Sequence, residues 1–381
     1  MFNFFYLFLS WSLYLVFLPF LLLASVYDKK IRVFVFKRML LVKNPPFTKK
    51  GVWIHCASFG EARAVFTIVS SIGGDVNITV ATKAGFDEAR RLYPNAQTRY
   101  LPFENLLPFW TREQKALIVF DAELWYELFR SAKKRGAKTA LFNARVPDKS
   151  VKTYRRFRFL FFRIFSFVDH IYAQGGIDKE RLLELGAKKA DILGNIKLAQ
   201  KPKIKRLFDK PPDGIVTVAA STHEGEERLI LEAWRESGIG GKILIAPRHS
   251  DRFSSVYSEL KKDCGVALFS ETKNLEASVV LVDQLGILNE LYAIADIAVL
   301  GGSFTLTSGH NPLEPLFLGC TIVSGEGIEH QRSLFDEIEG VIFANKYNLK
   351  EKIRLAQKAE KPRLKNSFDC AGFERALKNV L

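Results

Sequence analysis

The sequence is poor in cysteine and lacks the common metal-binding and redox motifs. Four cysteines occur among 381 residues, without a C-x-x-C or other paired spacing, and none of the six histidines lies in an H-E-x-x-H. These absences exclude a disulfide-stapled secreted scaffold and the usual zinc or thiol–disulfide centres. We therefore expect no metal, no cofactor and buried thiols in a reducing compartment. The cysteines are Cys56, Cys264, Cys320 and Cys370.

The chain has fewer acidic than basic residues. Lys and Arg number 56 against 41 Asp and Glu, which gives a formal net charge of +15. This charge favours an anionic partner, and nucleic acid, an anionic membrane and phosphorylated small molecules fit it equally. The apolar content of 48% excludes a disordered chain, and the length suits two domains of ordinary size.

No charged residue occurs between Phe2 and Val26. The run is long enough to cross a hydrocarbon core of about 30 Å as a helix, and its uncharged start is unlike a cleaved signal peptide. Basic residues follow it, so the positive-inside rule places the body of the chain in the cytoplasm. We predict an uncleaved anchor over residues 1–27; a helix lying in one leaflet is the alternative. The basic residues are Lys29, Lys30, Arg32, Lys37 and Arg38.

The following residues predict a parallel, doubly wound α/β domain over 28–200. Short apolar or β-branched runs alternate with helical patterns. Ligands of such folds bind beyond the carboxyl ends of the strands, where Glu61, Asp121 and Glu123 fall. An acid at a helix start serves equally as a partner of the helix dipole. The predicted strands are Gly51–Ala57, Asn77–Thr82, Ala116–Phe120, Thr139–Asn143 and Ile171–Gln174, and the predicted helices are Ala62–Val69, Phe86–Leu92 and Asp178–Leu185.

A second α/β segment, over 201–381, follows a connector. Ala199 to Gly214 has the proline and charge content of an interdomain linker. Arg248 follows a predicted strand, where its planar guanidinium is well placed to bind a phosphate, although a solvated arginine is equally consistent. The strands predicted here are Ile215–Ala220, Lys242–Ala246, Ser278–Val282 and the end of Tyr292–Leu300.

The stretch GGSFTLTSGHNPLEPLFLG, Gly301 to Gly319, combines a strand exit, a glycine turn and a helix start. Ser308 or Asn311 suits the helix cap. Backbone N–H groups left free at such a turn, together with the positive end of a helix dipole, predict an anion site. Glu314 lies in the first turn, where it either caps the helix or accepts hydrogen bonds from ribose hydroxyls.

Lys149 to Val168 mixes basic and aromatic residues without any acid. As one helix it places its aromatic residues on one face and its basic residues nearly opposite. The basic face fits lipid phosphates or an anionic leaflet; a buried aromatic stripe with a solvated basic face, or single-stranded nucleic acid, fits the pattern as well. The aromatic set is Tyr154, Phe157, Phe161 and Phe165, and the basic set is Lys152, Arg155, Arg156 and Arg163.

Several separated motifs resemble those of one enzyme family. G-G-S followed by S-G-H-N-P-L-E-P is similar to the nucleotide-sugar motif of the Kdo transferases, which attach 3-deoxy-D-manno-octulosonic acid (Kdo) from CMP-Kdo to lipid A precursors. W-I-H-x-x-S-x-G-E, D-I-L-G-N-I-K-L, S-T-H-E-G-E-E and P-R-H also match the family. The resemblance implies two Rossmann-like domains in the GT-B arrangement and metal-independent transfer. The N-terminal domain then holds the acceptor and the C-terminal domain holds CMP-Kdo. The last helix, over Phe373–Leu381, belongs to the C-terminal domain or packs back on the N-terminal domain.

The resemblance also implies roles for individual residues. Glu61 corresponds to the general base, and Lys197 stabilises charge in the transition state. The family has E-T-E-L-W where this chain has Asp121 to Trp125, so either Asp121 or Glu123 fills the second acidic role. Ile287 replaces an acid of the family, so the nucleotide contact there uses backbone atoms. The residues implied to bind substrate are Pro247, Arg248, Leu285, Gly286, Ile287, Asn311, Pro312, Leu313 and Glu314.

The function implied is an inverting glycosyltransferase of lipopolysaccharide inner-core synthesis. Its donor is CMP-Kdo, its acceptor is a lipid A precursor (lipid IVA), and it works at the anionic surface of the inner membrane with no nucleic acid as partner. A GT-B enzyme that uses a UDP-sugar has the same fold, and a membrane-tethered nucleic-acid-binding protein explains the charge. CMP binding distinguishes the predicted enzyme from both.

Overall fold

The computed structural model describes residues 1–199, 201–211, 214–262, 265–305, 309–365 and 368–381. Cys264 and the cap candidate Ser308 lie outside these residues. The chain divides into two compact units: Met1–Gln200 with Phe368–Leu381, and Lys201–Ser367. Each unit contains a seven-stranded sheet.

The sheet of the first unit is parallel. Its strands are β1 Val52–His55, β2 Val76–Val80, β3 Gln97–Tyr100, β4 Ala116–Phe120, β5 Lys138–Ala144, β6 His170–Ala173 and β7 Asp191–Ile192. Their order is β3-β2-β1-β4-β5-β6-β7, and all neighbours run in the same direction. The outward order from β1 is that of a Rossmann sheet, whose ligands bind where the strand order reverses, beside β1 and β4.

Helices flank this sheet and bury both of its faces. Val52 and Ile54 point into one apolar cluster and Trp53 into the other, as the two-residue period of a strand requires. The helices are α1 Phe2–Tyr27, α2 Lys29–Val33, α3 Phe59–Ala64, α4 Phe66–Ser70, α5 Lys83–Leu92, α6 Leu107–Trp110, α7 Tyr126–Lys134, α8 Asp148–Arg156, α9 Arg158–Phe165 and α10 Gly176–Glu184. A π-helical segment, Phe34–Met39, and the 3₁₀ turns Glu104–Leu106 and Ile196–Ala199 complete this part of the chain.

The second unit repeats the parallel βα construction. Its large sheet has the order β10-β11-β9-β8-β12-β13-β15, and β14 pairs with β16 in a small antiparallel ladder. The strands are β8 Val216–Thr222, β9 Lys242–Pro247, β10 Val266–Leu268, β11 Val279–Leu281, β12 Ile297–Leu300, β13 Thr321–Gly325, β14 Ile338–Glu339, β15 Ile342–Ala344 and β16 Arg363–Leu364. The helices are α11 Glu226–Ser237, α12 Phe253–Leu260, α13 Phe269–Thr272, α14 Leu288–Tyr292, α15 Leu313–Phe317, α16 Arg332–Phe335 and α17 Leu349–Ala356, with a 3₁₀ turn at Ser250–Arg252.

The last helix, α18 Cys370–Val380, belongs to the first unit. Phe373 and Val380 lie in the apolar cluster that also contains Ile54, and the Tyr172 hydroxyl donates to the Ala376 carbonyl at 3.3 Å. The second unit therefore ends at Ser367. The boundary predicted from the sequence ran to residue 381, with the option that the last helix packs back on the first unit, and the structure has this second arrangement.

The predicted fold class is confirmed: two parallel Rossmann-like α/β units follow an N-terminal apolar helix. Several local predictions are wrong. Each predicted helix over Ala62–Val69 and Lys149–Val168 is two helices, because the backbone leaves helical geometry at Val65 and Phe157. The strand β3 and the helix α7 were not predicted. Cys56 and Cys320 are buried, but Cys370 is exposed because it begins α18 at the surface.

Candidate active site

The first group of predicted site residues lies at the carboxyl edge of the first sheet. After β1 ends at His55, the chain turns through Ala57 into α3. Ser58 is the N-cap residue, and its hydroxyl accepts the N–H of Glu61 at 3.4 Å. A capping hydroxyl of this kind satisfies a backbone donor that the first helical turn leaves without a partner. Glu61 is therefore fixed in the first turn of α3, directly beyond the central strand.

The carboxylate of Glu61 folds back over the start of its own helix. It accepts the N–H of Ala57 at 2.7 Å and the hydroxyl of Ser58 at 2.9 Å. Burial raises the pKa of Glu61, and the charges of Asp121 and Glu123 add to this effect, while the two hydrogen bonds oppose it. The net result is a pKa above the usual value. A carboxylate with a raised pKa accepts a proton more readily than an exposed one, which is the property that a general base needs.

Asp121 follows β4 in an unusual backbone conformation. Its φ is 67°, in the left-handed region that Asp and Asn tolerate better than most residues. Its side chain is almost completely buried and forms an ion pair with Arg145, which follows β5. Burial lowers the pKa of Arg145, but the Asp121 carboxylate outweighs it, so the pKa is raised. Sequence reasoning gave Arg145 no role, although an arginine just beyond a parallel strand is the signal that selected Arg248.

Glu123 occupies a different environment two residues later. Its carboxylate accepts the indole N–H of Trp125 at 2.6 Å and lies 3.6 Å from Nε2 of His55, an ion-pair distance. Burial raises the pKa of Glu123, but His55 and the Trp125 hydrogen bond outweigh it, so the pKa is lowered. The Nδ1 of His55 lies 3.1 Å from the Thr79 carbonyl, which can only accept, so Nδ1 carries a proton. Asp121 and Glu123 thus have different partners, Arg145 and His55.

Lys197 lies beside the end of β5 in the same unit. Asn143, near the end of β5, accepts the N–H of Ile196 at 2.9 Å through its side chain. The Asn195 side chain accepts the N–H of Lys197 at 3.1 Å. Both amides fix the short 3₁₀ turn that carries Lys197, and the lysine side chain is half-buried. The first sheet edge therefore assembles the predicted catalytic residues of this unit from β1, β4 and the segment bound to β5.

The glycine turn of the second unit differs from the prediction. The sequence predicts free backbone N–H groups there for an anion, but the chain supplies its own carboxylate. Glu226, at the start of α11, accepts the N–H groups of Gly302 at 2.6 Å, Phe304 at 3.0 Å and Thr305 at 3.3 Å. It also accepts the N–H of His223 at 2.9 Å, and it is completely buried. The described part of the turn, residues 301–305, is thus closed around Glu226, a residue for which the sequence predicts no role.

The preceding glycine makes this closure possible. A Cβ on Gly301 would lie 2.6 Å from the Thr222 Cα and 2.7 Å from the Ser221 carbonyl oxygen, both closer than contact allows. Any other residue would push β12 away from the end of β8. The close approach therefore brings the Glu226 carboxylate within reach of the turn.

The adjacent acid, Glu227, fixes a second arginine. Its carboxylate is paired with Arg252 at 2.7 Å and accepts the Thr222 hydroxyl at 2.9 Å. A cavity of 410 Å³ opens beside these groups, within the size range of small-molecule sites. It is lined by His223, Glu224, Arg252 and Thr305.

Arg248 is exposed and lies four residues before Arg252, which lines this cavity. Pro247 is the buried last residue of β9, and the N–H of Arg248 donates to the Thr222 carbonyl at 3.0 Å. This bond fixes the arginine backbone beyond the strand end and leaves its guanidinium outside the sheet. The rings of His223 and His249 meet edge to face at 5.5 Å. Burial and the nearby cations lower the pKa of His223, although Glu226 opposes them.

The remaining predicted substrate-binding residues occupy two turns of the second unit. Gly286 has φ 85°, which gives the turn between Leu285 and Ile287 its shape. Asn311 accepts the N–H of Leu313 at 3.0 Å through its side chain, while Pro312 takes the N-cap position of α15. Glu314 lies in the first turn of α15, 3.9 Å from His310.

Family comparison identifies the chain. The family model described as 3-deoxy-D-manno-octulosonic-acid transferase (kdotransferase) matches residues 34–200. A 3-deoxy-D-manno-octulosonic acid transferase of Haemophilus influenzae is 30% identical over 328 residues, which cover 78% of this chain and 76% of that protein. The chain belongs to the Kdo transferase family. It is accordingly a glycosyltransferase.

Two further likenesses refine this result. A bifunctional glycosyltransferase/methyltransferase of Fusobacterium nucleatum is 28% identical over 81% of this Kdo transferase, which spans only 52% of that longer protein. A UDP-GlcNAc 2-epimerase from Neisseria meningitidis is 11% identical and covers 87% of this chain and 95% of its own, with a TM-score of 0.51. The second likeness shows the fold alone.

Proposed function

We propose that this Kdo transferase moves Kdo from CMP-Kdo to a hydroxyl of a lipid A precursor, with inversion at the anomeric carbon. Membership of the family supports the reaction class. The observation that carries the catalytic assignment is Glu61, a half-buried carboxylate at a helix start with a raised pKa, coupled to Asp121 and Glu123.

In the proposed reaction, Glu61 removes the proton of the acceptor hydroxyl. The oxygen attacks the anomeric carbon of Kdo, the bond from that carbon to the CMP phosphate oxygen breaks, and CMP leaves with the bonding electrons. Proton removal by a positioned carboxylate contributes about 10² to 10⁴ in rate. Asp121, held by Arg145, and Lys197 support the charge that develops during transfer.

The second unit is proposed to bind the donor. CMP-Kdo carries a phosphodiester and a sugar carboxylate, so it is an anion at neutral pH. The exposed guanidinium of Arg248 suits the phosphodiester, because a planar fork of N–H donors matches phosphate oxygens. The Leu285–Ile287 turn offers backbone atoms, and the segment from Asn311 to Glu314 offers the side-chain NH₂ group of Asn311 and the carboxylate of Glu314 for hydroxyl groups.

The acceptor is an amphiphile, which fits an enzyme that works at a membrane. Among the described residues, one helix, Phe2–Tyr27, is long and apolar enough to be a candidate membrane segment. We propose that the chain is attached to the cytoplasmic face of the inner membrane, with both α/β units in the cytoplasm.

The test incubates the purified protein with CMP-Kdo and a tetraacylated lipid A precursor and determines the product mass. We expect a gain of one or more Kdo residues, and tighter binding of CMP than of UDP. Glu61→Gln should bind CMP and unfold at the parent temperature but transfer Kdo about 10² to 10⁴ times more slowly. The matched control is Glu351→Gln, an exposed acid in the first turn of α17. Parent-rate transfer by Glu61→Gln refutes the base assignment, and preference for UDP refutes the donor.

A further inference from the structure

One face of α1 is covered along its whole length. Side chains that are buried or half-buried recur every three or four residues, and the side chains on the opposite face are exposed. This is the period of one helix face. The covered positions include Leu7, Ser10, Tyr14, Leu18, Leu21 and Ser25.

The N-terminal half of this face packs on the α/β domain of the first unit. The Phe2 ring meets the Tyr126 ring of α7 edge to face at 5.3 Å. The Tyr6 hydroxyl donates to the Glu104 carboxylate in the turn before α6. Phe2 also lies under the guanidinium of Arg163, 5.5 Å from its ring centroid.

The C-terminal half packs on the segment that returns after Asp28. Arg32 donates to the carbonyl oxygens of Ser25 at 2.9 Å and Val26 at 2.8 Å. The Tyr14 hydroxyl donates to the Met39 carbonyl at 3.0 Å. The helix and the returning segment, Phe2 to Met39, therefore form a helical hairpin fastened to the domain at its open end.

These contacts leave too little free helix to cross a bilayer. The Tyr14 ring also lies 6.1 Å from the ring of Phe103 in the α/β domain. The fourteen residues from Tyr14 to Tyr27 rise about 20 Å at 1.5 Å per residue, whereas the hydrocarbon core is about 30 Å thick. For the whole helix to cross, Glu104 and Arg163 would have to enter hydrocarbon or lose their contacts with α1. Charged groups at that depth are costly.

The uncovered face of α1 continues onto α9. Phe159 and Phe162 are exposed, at 61% and 56%, and Phe159 lies 6.3 Å from the Phe2 ring. Exposed basic residues occur in the same segments of the chain as these apolar groups. These basic residues are Lys29 and Lys30 in the segment that follows α1, Lys152 and Arg156 on α8, and Arg158 on α9. We call the exposed face of α1 with Phe159 and Phe162 the lipid-facing surface.

We propose that the hairpin lies in the plane of one leaflet of an anionic bilayer, and that Phe159 and Phe162 enter the same leaflet. Apolar side chains with cations in the same segments fit the boundary between acyl chains and anionic headgroups. The chain is then monotopic, and the single crossing expected from the sequence does not occur. This inference does not depend on which sugar the enzyme transfers.

The topology test uses Cys370, an exposed thiol of the first unit, as an internal reference. A cysteine is inserted directly after Met1, and spheroplasts are treated with a membrane-impermeant maleimide before or after lysis. A monotopic chain keeps both thiols on one side, so both should be labelled only after lysis. Labelling of the inserted cysteine in intact spheroplasts, with Cys370 unlabelled, shows a crossing helix and overturns the proposal.

The second test asks whether α9 touches lipid. A nitroxide is attached at Phe162→Cys in a Cys370→Ser background, and the full chain is bound to vesicles containing phosphatidylglycerol. We expect oxygen to collide with this label at least about three times more often, relative to a water-soluble nickel chelate, than with the same label at Phe343→Cys. Phe343 is an exposed phenylalanine of the second unit. Equal accessibility at the two sites, or exclusion of both reagents by a second copy of the chain, overturns the proposal.

Discussion

At the residue scale, the charge of Asp121 contributes to the raised pKa of Glu61. The Asp121 carboxylate adds to the burial that raises the pKa of Glu61, and Asn tolerates the left-handed backbone at position 121 as well as Asp does. Asp121→Asn removes the charge and leaves Arg145 unpaired, and both changes lower the pKa of Glu61. Because a base works only when ionised, we expect the acid limb of kcat/KM against pH to move to lower pH.

The measurement is a pH–rate profile of the two proteins at saturating acceptor. Asp75→Asn serves as the control, because Asp75 is an exposed acid paired with Lys49. A profile displaced to higher pH, or one that does not move, contradicts the coupling of Asp121 to Glu61. The maximal rate in the same data shows whether Asp121 also supports the transition state.

Glu226 gives the second prediction at this scale. A glutamine in its place has one carbonyl oxygen and an NH₂ group that faces N–H donors, so two of the four hydrogen bonds are lost. Hydrogen bonds to a charged group contribute about 1.5–3 kcal/mol each. We therefore expect Glu226→Gln to loosen the Gly301 turn and to raise KM for CMP-Kdo about ten-fold or more, with a smaller effect on kcat.

Glu236→Gln is the matched control, because Glu236 is an exposed acid near the other end of α11. Thermal unfolding of both variants shows whether the second unit remains folded. A folded Glu226→Gln protein with the parent KM would mean that the turn does not depend on the carboxylate.

The sequence predicts some of these residues and not others. Glu61 and Asp121 could be selected because each follows an apolar strand of a parallel sheet, whose carboxyl ends gather ligands. Glu226 could not, because an acid at a helix start has the same pattern whether it is solvated or buried under a loop about 75 residues later in the chain. Arg145 could be located, but its pairing with Asp121 depends on two strands being neighbours.

At the scale of elements, the contact between α1 and the turn before α6 depends on pH. Burial raises the pKa of Glu104 to about 7, with the Glu127 charge adding and the Tyr6 hydrogen bond opposing. The folded state therefore holds the Glu104 proton more tightly than the unfolded state does. Stability from this group is complete below its usual value of 4.5 and is lost as pH rises toward about 7.

Glu104→Gln should remove this dependence, because an uncharged amide resembles the protonated carboxyl group. Its carbonyl oxygen can accept the Glu127 N–H, which Glu104 accepts at 2.8 Å, while its NH₂ group donates to the Tyr6 hydroxyl. We expect the variant to match the parent in thermal stability near pH 4.5 and to exceed it by about 2–3 kcal/mol at pH 8. Unfolding in detergent at the two pH values measures the difference. Glu113→Gln, which alters an exposed acid, should show no such gap. A gap that is the same at both pH values contradicts the assignment.

The helix breaks at Val65 and Phe157 show why elements are harder to predict than the fold class. In both segments the apolar period continues through the break, so the sequence alone favours one helix. In the structure, Val65 has φ −73° and ψ 0° and Phe157 has φ −102° and ψ 26°, so the backbone leaves helical geometry at each of them. Tertiary packing decides such boundaries, and local periodicity does not.

At the scale of the whole molecule, α18 stabilises the unit to which it returns. Phe373 is buried against the first sheet, and its ring lies 6.0 Å from that of Phe142. Phe373→Ala should therefore reduce the free energy of unfolding of the first unit by about 3–5 kcal/mol. Denaturant unfolding followed by hydrogen exchange of first-unit peptides measures this loss. Its neighbour Glu374 is exposed, and Glu374→Ala should change stability by less than about 0.5 kcal/mol.

The chain connects the two units twice, and only the first connection can be recognised from the sequence. Ala199 to Gly214 is rich in proline and charge, as linkers are, and a new series of strands and helices follows it. The residues before α18 also contain charges and Pro362, but only a single helix follows them. An amphipathic helix such as α18 fits the surface of either sheet, so its sequence does not state which core it completes.

The return of α18 sets an order of events during synthesis. The ribosome makes the hydrophobic hairpin first, and the strands of its sheet next, but it makes Phe373 and Val380 only after every residue of Lys201–Ser367. One face of the first sheet therefore stays exposed to solvent where α18 will pack, while the nascent chain already carries an apolar N-terminal helix. At about 5–20 residues per second this interval lasts roughly ten to thirty seconds, during which the unfinished flank is a natural target for chaperones.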